Sequence, residues 1–146
     1  MPDVFGLTDA AFAANADVQA SKVQHQYLDT YAFPGPVHSI EVMLGRVYGV
    51  TGSLVALHAW LDTLPTGLDE VEVDLQSSVG GGAWASVLTA PLSLTAGNTV
   101  RLPTAASIAV AALAVGTLLK LVLTVTGSTA ANLGVTLVRR EKAAPP

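Results

Sequence analysis

Glu70-Val71-Glu72-Val73-Asp74-Leu75-Gln76 alternates a polar with an aliphatic side chain at every step. A period of two puts Val71, Val73 and Leu75 on one face of a strand, and Glu70, Glu72, Asp74 and Gln76 on the other. A helix would spread the same residues around its circumference. One buried and one wet face is the mark of an antiparallel sheet. The acidic row reads as a solvated strand face or a guarded edge.

The same signal repeats on both sides of this stretch. Downstream, 77–82 ends in Gly80-Gly81-Gly82, which permits a hairpin turn, and 84–89 reads as the return strand. Short candidates follow at 92–95, 98–102 and 108–113. The long strand 117–126 sets Leu119, Leu121, Leu123 and Val125 against Leu118, Lys120, Val122 and Thr124. After the turn at 127–129, residues 132–140 alternate Leu133, Val135 and Leu137 with Gly134, Thr136 and Val138. Upstream, 39–48 carries Ile40, Val42 and Leu44 on one parity, and 49–52 turns the chain. Residues 53–63 place Val55, Leu57, Ala59 and Leu61 opposite His58, Trp60 and Asp62, and Pro65-Thr66-Gly67 ends the run. About eight strands at turn spacings of roughly 8–12 residues predict an all-β antiparallel β-sandwich, and eight strands in two sheets fit a jelly roll. The only helical competitor after residue 37 is 105–119, and Gly116 with its β-branched neighbours argues against it.

The first 36 residues differ. Residues 9–22 are Ala-rich, with Asn15 and Asp17 as caps or turn residues, and admit a short helix. Residues 23–28 read as extended and polar-interleaved, and Phe33-Pro34-Gly35-Pro36 is a breaker cluster. The organisation predicted is an extended N-terminal arm over 1–36, a sandwich over 37–142 and a frayed tail over 143–146. An arm of this composition becomes ordered on a neighbour.

Composition narrows the functional classes. The chain has 146 residues, 51% of them hydrophobic and only 12% charged, against about 25% charged in an ordinary soluble domain. Much of the outer surface is therefore expected to be covered in an assembly. A net charge of −4 argues against nucleic acid, which needs a basic face. Without cysteine, disulfides and thiolate metal sites are excluded. Residues 1–16 lack the basic and apolar regions of a signal peptide. The most apolar stretch, 108–125, is broken by Gly116, Thr117, Lys120 and Thr124, so no membrane span is expected.

No catalytic constellation appears. His58 and Asp62 share a strand face but lie about 13 Å apart at ~3.3 Å per residue, while His38 and Glu41 point to opposite faces. No serine sits in a nucleophile elbow, and the triglycine lacks the Lys and Ser/Thr of a phosphate loop. The reading is a non-enzyme with no metal or cofactor. Aromatics offer more. Trp60 sits on the polar parity of its strand, and Trp84 and Tyr48 flank turns. Together they suggest either a sugar platform in a carbohydrate-binding or fibre adhesion module, or a protein interface. Leu118 and Val122, on the nominally outer face of 117–126, suggest a face packed on another subunit.

The stretch 52–137 resembles a β-sandwich domain recurrent in tailed-phage structural proteins. The residues carrying the resemblance are Gly52-Ser53-Leu54-Val55-Ala56, Leu64-Pro65-Thr66-Gly67, Val71-Glu72-Val73-Asp74-Leu75, Leu92-Ser93-Leu94, Ala114-Val115-Gly116, Leu121-Val122-Leu123-Thr124-Val125, Gly127-Ser128 and Leu133-Gly134-Val135-Thr136-Leu137. Lys22-Val23-Gln24-His25-Gln26-Tyr27 is similar to the N-terminal arm that precedes such domains. The hairpin tip at 77–82 departs from the commoner Asn-Gly type. The resemblance implies a phage virion protein: a decoration or cement protein on the capsid surface, or a head-fibre module. Its expected partners are the major capsid protein or another virion protein and further copies of itself, most simply in a trimer. The arm residues Lys22, Gln24, His25, Tyr27, Tyr31 and Phe33, with Trp60, Leu118 and Val122, form the expected contact set.

Overall fold

The computed structural model describes residues 24–47, 51–127 and 129–142. They form ten strands: β1 (Gln24–Pro36), β2 (Ile40–Arg46), β3 (Gly52–Thr63), β4 (Glu70–Ser78), β5 (Ala85–Ser86), β6 (Leu92–Thr95), β7 (Thr104–Ala105), β8 (Ala112–Leu113), β9 (Leu118–Thr126) and β10 (Ala131–Lys142). One sheet runs β1-β10-β3-β7, with β8 also on β3. The other runs β2-β9-β4-β5, with β6 also on β4. Every pairing is antiparallel.

Strands β5 and β6 both lie along β4, and β7 and β8 both lie along β3. Each couple is one strand interrupted. Counted so, there are eight, and they nest first with last: β1 with β10, β2 with β9, β3 with β7/β8, β4 with β5/β6. This nesting in two facing sheets is the jelly roll.

The alternation read from the sequence builds the core. Leu57, Ala59, Leu61, Leu133, Val135 and Leu137 face inward from the first sheet. Val71, Val73, Leu75, Leu94, Leu119, Leu121 and Leu123 face them from the second, all buried. Burying each Leu or Val contributes about 1.5–3 kcal/mol relative to exposure.

Several expectations are corrected. Residues 24–36, assigned to an arm outside the sandwich, are its edge strand, and β1 pairs with β10 from Gln24↔Lys142 to Pro36↔Ala131. Its breaker cluster is absorbed by a bulge between Phe33 and Pro36. There Gly35 adopts φ 76°, and its N–H donates to Asn132 Oδ1 at 2.7 Å. Prolines are tolerated because an edge strand owes no N–H to an outer neighbour. Residues 1–23, including the Ala-rich segment, and the tail 143–146 lie outside the described residues.

Val55 does not join the inward row of β3. The register slips between Val138 and Arg139, which pair with Ala56 and Leu54. Val55 is thus the extra residue of a bulge, turned outward and exposed, while Leu54 takes the buried position. Residues 98–102 form no strand. Asn98 Oδ1 accepts the Thr95 N–H at 2.7 Å, and Arg101 is left-handed at φ 61°, so the chain turns.

Asp74 is buried, not solvated. Strand β4 is interior to its sheet, and Asp74 accepts Ser86 Oγ at 2.5 Å and Gln76 Nε2 at 3.0 Å. Ser86 Oγ in turn accepts the Leu88 N–H at 3.1 Å. This network ties 84–88 to β4. Asp74→Ala is expected to cost about 0.5–1.5 kcal/mol for each hydrogen bond lost, because Ser86 and Gln76 lose the acceptor that joins them. Urea denaturation checks it, and an unchanged midpoint would show that water already serves those donors.

The two sides of the sandwich differ. On one, backbone bonds join the sheets: Thr89 N–H to Ser107 O at 2.9 Å, Ala109 N–H to Val87 O at 2.8 Å, and the Leu88–Ile108 bridge. On the other, the edge strands β1 and β2 follow one another through residues 37–39 and do not pair. That side is open.

Candidate interaction surfaces

The open side carries one group of the expected contact residues. β1 turns Tyr27, Asp29, Tyr31 and Phe33 inward and Leu28, Thr30 and Ala32 outward, as its register with Val135 and Leu137 requires. Tyr31 and Phe33 pack against the core and are half-buried. They close the sandwich and are not a free contact surface. Tyr27 is exposed; its hydroxyl donates to Glu141 Oε2 at 3.2 Å, and Arg139 lies 5.8 Å from its ring centre. Arg139 Nε donates to Asp29 Oδ2 at 2.9 Å. A small cavity of about 100 Å³ lies behind this pair, between Tyr31, Leu44, Leu119 and Leu137. Gln24 and His25 lie at the start of β1, paired with Lys142 and Glu141. Lys22 is outside the described residues.

The electrostatics of this end give a pH prediction. The hydrogen bond to the Glu141 carboxylate raises the Tyr27 pKa. Burial, then the Asp29 charge, raises that of Tyr31. The folded state therefore keeps these protons after the unfolded chain has lost them. Stability is complete below the ordinary tyrosine pKa and falls as pH rises through the raised values. Melting is expected to drop above about pH 10, and Tyr31→Phe is expected to reduce that drop. An equal drop in the variant would place its cause elsewhere.

The outer face of the second sheet carries Leu118, Lys120 and Val122 on β9. All three point outward; Leu118 and Val122 are half-buried, and Lys120 is buried. Lys120 Nζ reaches Glu41 Oε2 at 3.1 Å and lies 4.7 Å from the centre of the Trp84 ring. Trp84 therefore covers a lysine on this sheet. Trp60 lies on the outer face of the other sheet, so the two tryptophans share no platform. Tyr48 lies outside the described residues.

Around Trp60 the first sheet forms an open groove of about 420 Å³, lined by Ala32, Phe33, Pro34, Trp60, Asp62, Arg101, Asn132, Leu133 and Gly134. It is built from register. Trp60 on β3 lies opposite Gly134 on β10, and Gly134 opposite Ala32 on β1. A Cβ at Gly134 would stand 2.0 Å from Trp60 Cζ2 and 2.2 Å from Cε2. The indole thus occupies the space of the missing side chain. Two residues further along, Asp62 accepts hydrogen bonds from Arg101 Nε on one oxygen and from Asn132 Nδ2 at 3.3 Å on the other. Those bonds, with the Arg101 charge, hold its carboxyl below the usual aspartate range. Arg101 is held in place by its own backbone, whose N–H donates to Leu61 O at 2.9 Å.

Sequence reading identified Trp60 and Asp62 but missed Arg101 and Asn132. Arg101 comes from a stretch read as a strand, and Asn132 appeared only as the first residue of one. Their meeting depends on long-range register, which has no local sequence signal.

Among the described residues, no group of three or more His, Asp or Glu could hold a metal, and no helix is long and apolar enough to cross a membrane. No protein-family model matches the chain, and no curated protein matches it. Among solved structures, it is similar to one titled "Structure of infectious bursal disease virus Gt strain", with 14% identity and a TM-score of 0.35. That match covers 85% of this chain and 39% of the other, so the chain spans well under half of its neighbour's length.

Proposed function

We propose that the chain is a non-catalytic virion structural protein of a tailed phage, most specifically a decoration or cement protein on the capsid surface. The observation that carries this reading is a sparsely charged exterior with exposed apolar side chains on a jelly roll, an architecture used by viral capsid and lectin domains. Leu28, Ile40 and Met43 stay exposed on the edge strands β1 and β2. Val100, Leu102, Val110 and Val115 stay exposed in the stretch between β6 and β9. Together with the low charge of the chain, these exposed apolar side chains support burial against neighbouring copies in an assembly. The resemblance of 52–137 to phage sandwich domains supports the same reading.

In this reading the sandwich supplies contacts between copies, most simply in a trimer, and residues 1–23 bind the shell. The test mixes the purified chain with shells of its phage stripped of this protein, followed by sedimentation. Full-length protein is expected to pellet with the shells, and a chain lacking 1–23 to stay in the supernatant. Light scattering gives the mass of the free protein. Failure of the full chain to bind shells would sink the decoration role; unchanged binding by the truncated chain would sink only the role of 1–23.

A further inference from the structure

We infer that the groove on the outer face of the first sheet is a saccharide-binding site, in which one sugar ring stacks on Trp60 and its hydroxyls bond to Asp62, Arg101 and Asn132. This rests on the groove itself and is independent of the virion reading.

The chemistry of the two surfaces matches. A pyranose has an apolar C–H face and a rim of hydroxyls, each able to donate and accept. The groove has an aromatic floor with Pro34 and Ala32 beside it, and a polar cluster at one end. That cluster is organised but not used up. Asp62 accepts one bond on each oxygen, and a carboxylate offers about four lone-pair sites. Arg101 commits its Nε, leaving its terminal N–H groups, and its side chain is 73% exposed. Asn132 accepts from Gly35 and donates to Asp62, which fixes its amide and leaves one N–H. Adjacent acceptor and donor groups suit a pair of neighbouring hydroxyls. An apolar groove with a few fixed polar groups is the general form of a small-molecule site.

The backbone points to the same place. Among the described residues, Arg101 at φ 61° and Asn132 at φ 57° are the non-glycine positions with left-handed backbone. Both line this groove. The left-handed region is uncommon for non-glycine residues, least so for asparagine, and such residues cluster at binding sites, where surrounding structure holds them. Here that backbone places two polar side chains around one carboxylate beside the indole. The openness of the groove fits a ring lying against a wall better than an enclosed ligand.

The test uses the full chain on a glycan array. Tryptophan fluorescence titration and saturation-transfer NMR follow, with methyl β-glucoside, methyl β-galactoside, N-acetylglucosamine and their short β-linked oligomers. At least one saccharide is expected to bind and to perturb tryptophan emission, and Trp84→Phe is expected to retain both effects. Trp60→Ala and Arg101→Ala are each expected to weaken binding at least about tenfold. Arg101 is exposed, so Arg101→Ala remains informative if Trp60→Ala fails to fold. A silent array with flat titrations would overturn the proposal, as would binding unaffected by Arg101→Ala. A proline-rich peptide that quenches Trp60 where no saccharide does would assign the groove to a peptide instead and also overturn it.

Discussion

A chain lacking residues 24–36 is expected to show no cooperative thermal transition, whereas one lacking only residues 1–23 is expected to melt like the full chain. Strand β1 pairs with β10 at eleven positions. It also supplies Tyr31 and Phe33 to the core margin, and its Asp29 neutralises Arg139. Complete removal of a buried aromatic costs about 3–5 kcal/mol. Even at half that for each half-buried ring, the loss is several kcal/mol before the ladder hydrogen bonds and the stranded arginine are counted. A domain of this kind has roughly 5–15 kcal/mol in all. Deletion would also leave β10 as an apolar edge open to aggregation. Circular dichroism during heating checks both truncations. A native-like melt without 24–36 would mean that β1 is a dispensable arm after all.

That expectation reverses the one drawn from sequence alone, and the reason is physical. The strands whose alternation is unmistakable, β3, β4, β9 and β10, are the inner strands of the two sheets. Each must present aliphatic side chains to the core and polar ones to solvent, so its sequence is tightly constrained. β1 is an edge. Its inward positions include Tyr27, Asp29 and Tyr31, which are polar enough to read as solvated, and its end holds two prolines and a glycine. Edge position and a bulge make that chemistry compatible with a strand, but neither is visible before the partner is known. The same limit explains Val55. Strict alternation puts it inward, and only the register of β3 against β10 shows the extra residue. It explains the Trp60 groove too, since residues 60, 101 and 132 come together through sheet order.

Gly134→Ala is expected to destabilise the protein by about 1–3 kcal/mol, the usual cost of overpacking. The sign is informative because ordinary rules predict the opposite. Gly134 does not have a left-handed φ, so alanine fits its backbone. Replacing such a glycine usually stabilises by about 0.4–1 kcal/mol, because the unfolded chain loses freedom. What reverses the sign is the Trp60 ring, three of whose atoms lie within 2.6 Å of the added Cβ position. The indole must shift to admit the new methyl group. A double-mutant cycle isolates this contact. In a Trp60→Ala background the clash is gone, and Gly134→Ala is expected to become neutral or stabilising by up to about 1 kcal/mol. Denaturant midpoints of the four proteins give the coupling. Additive effects would show that the indole does not lie over Gly134, and would remove the floor on which the saccharide site is built. Strong coupling would show that a glycine on β10 was needed to seat an aromatic ring from β3. Saccharide binding should then be lost in Gly134→Ala while Asp62, Arg101 and Asn132 remain unchanged in sequence.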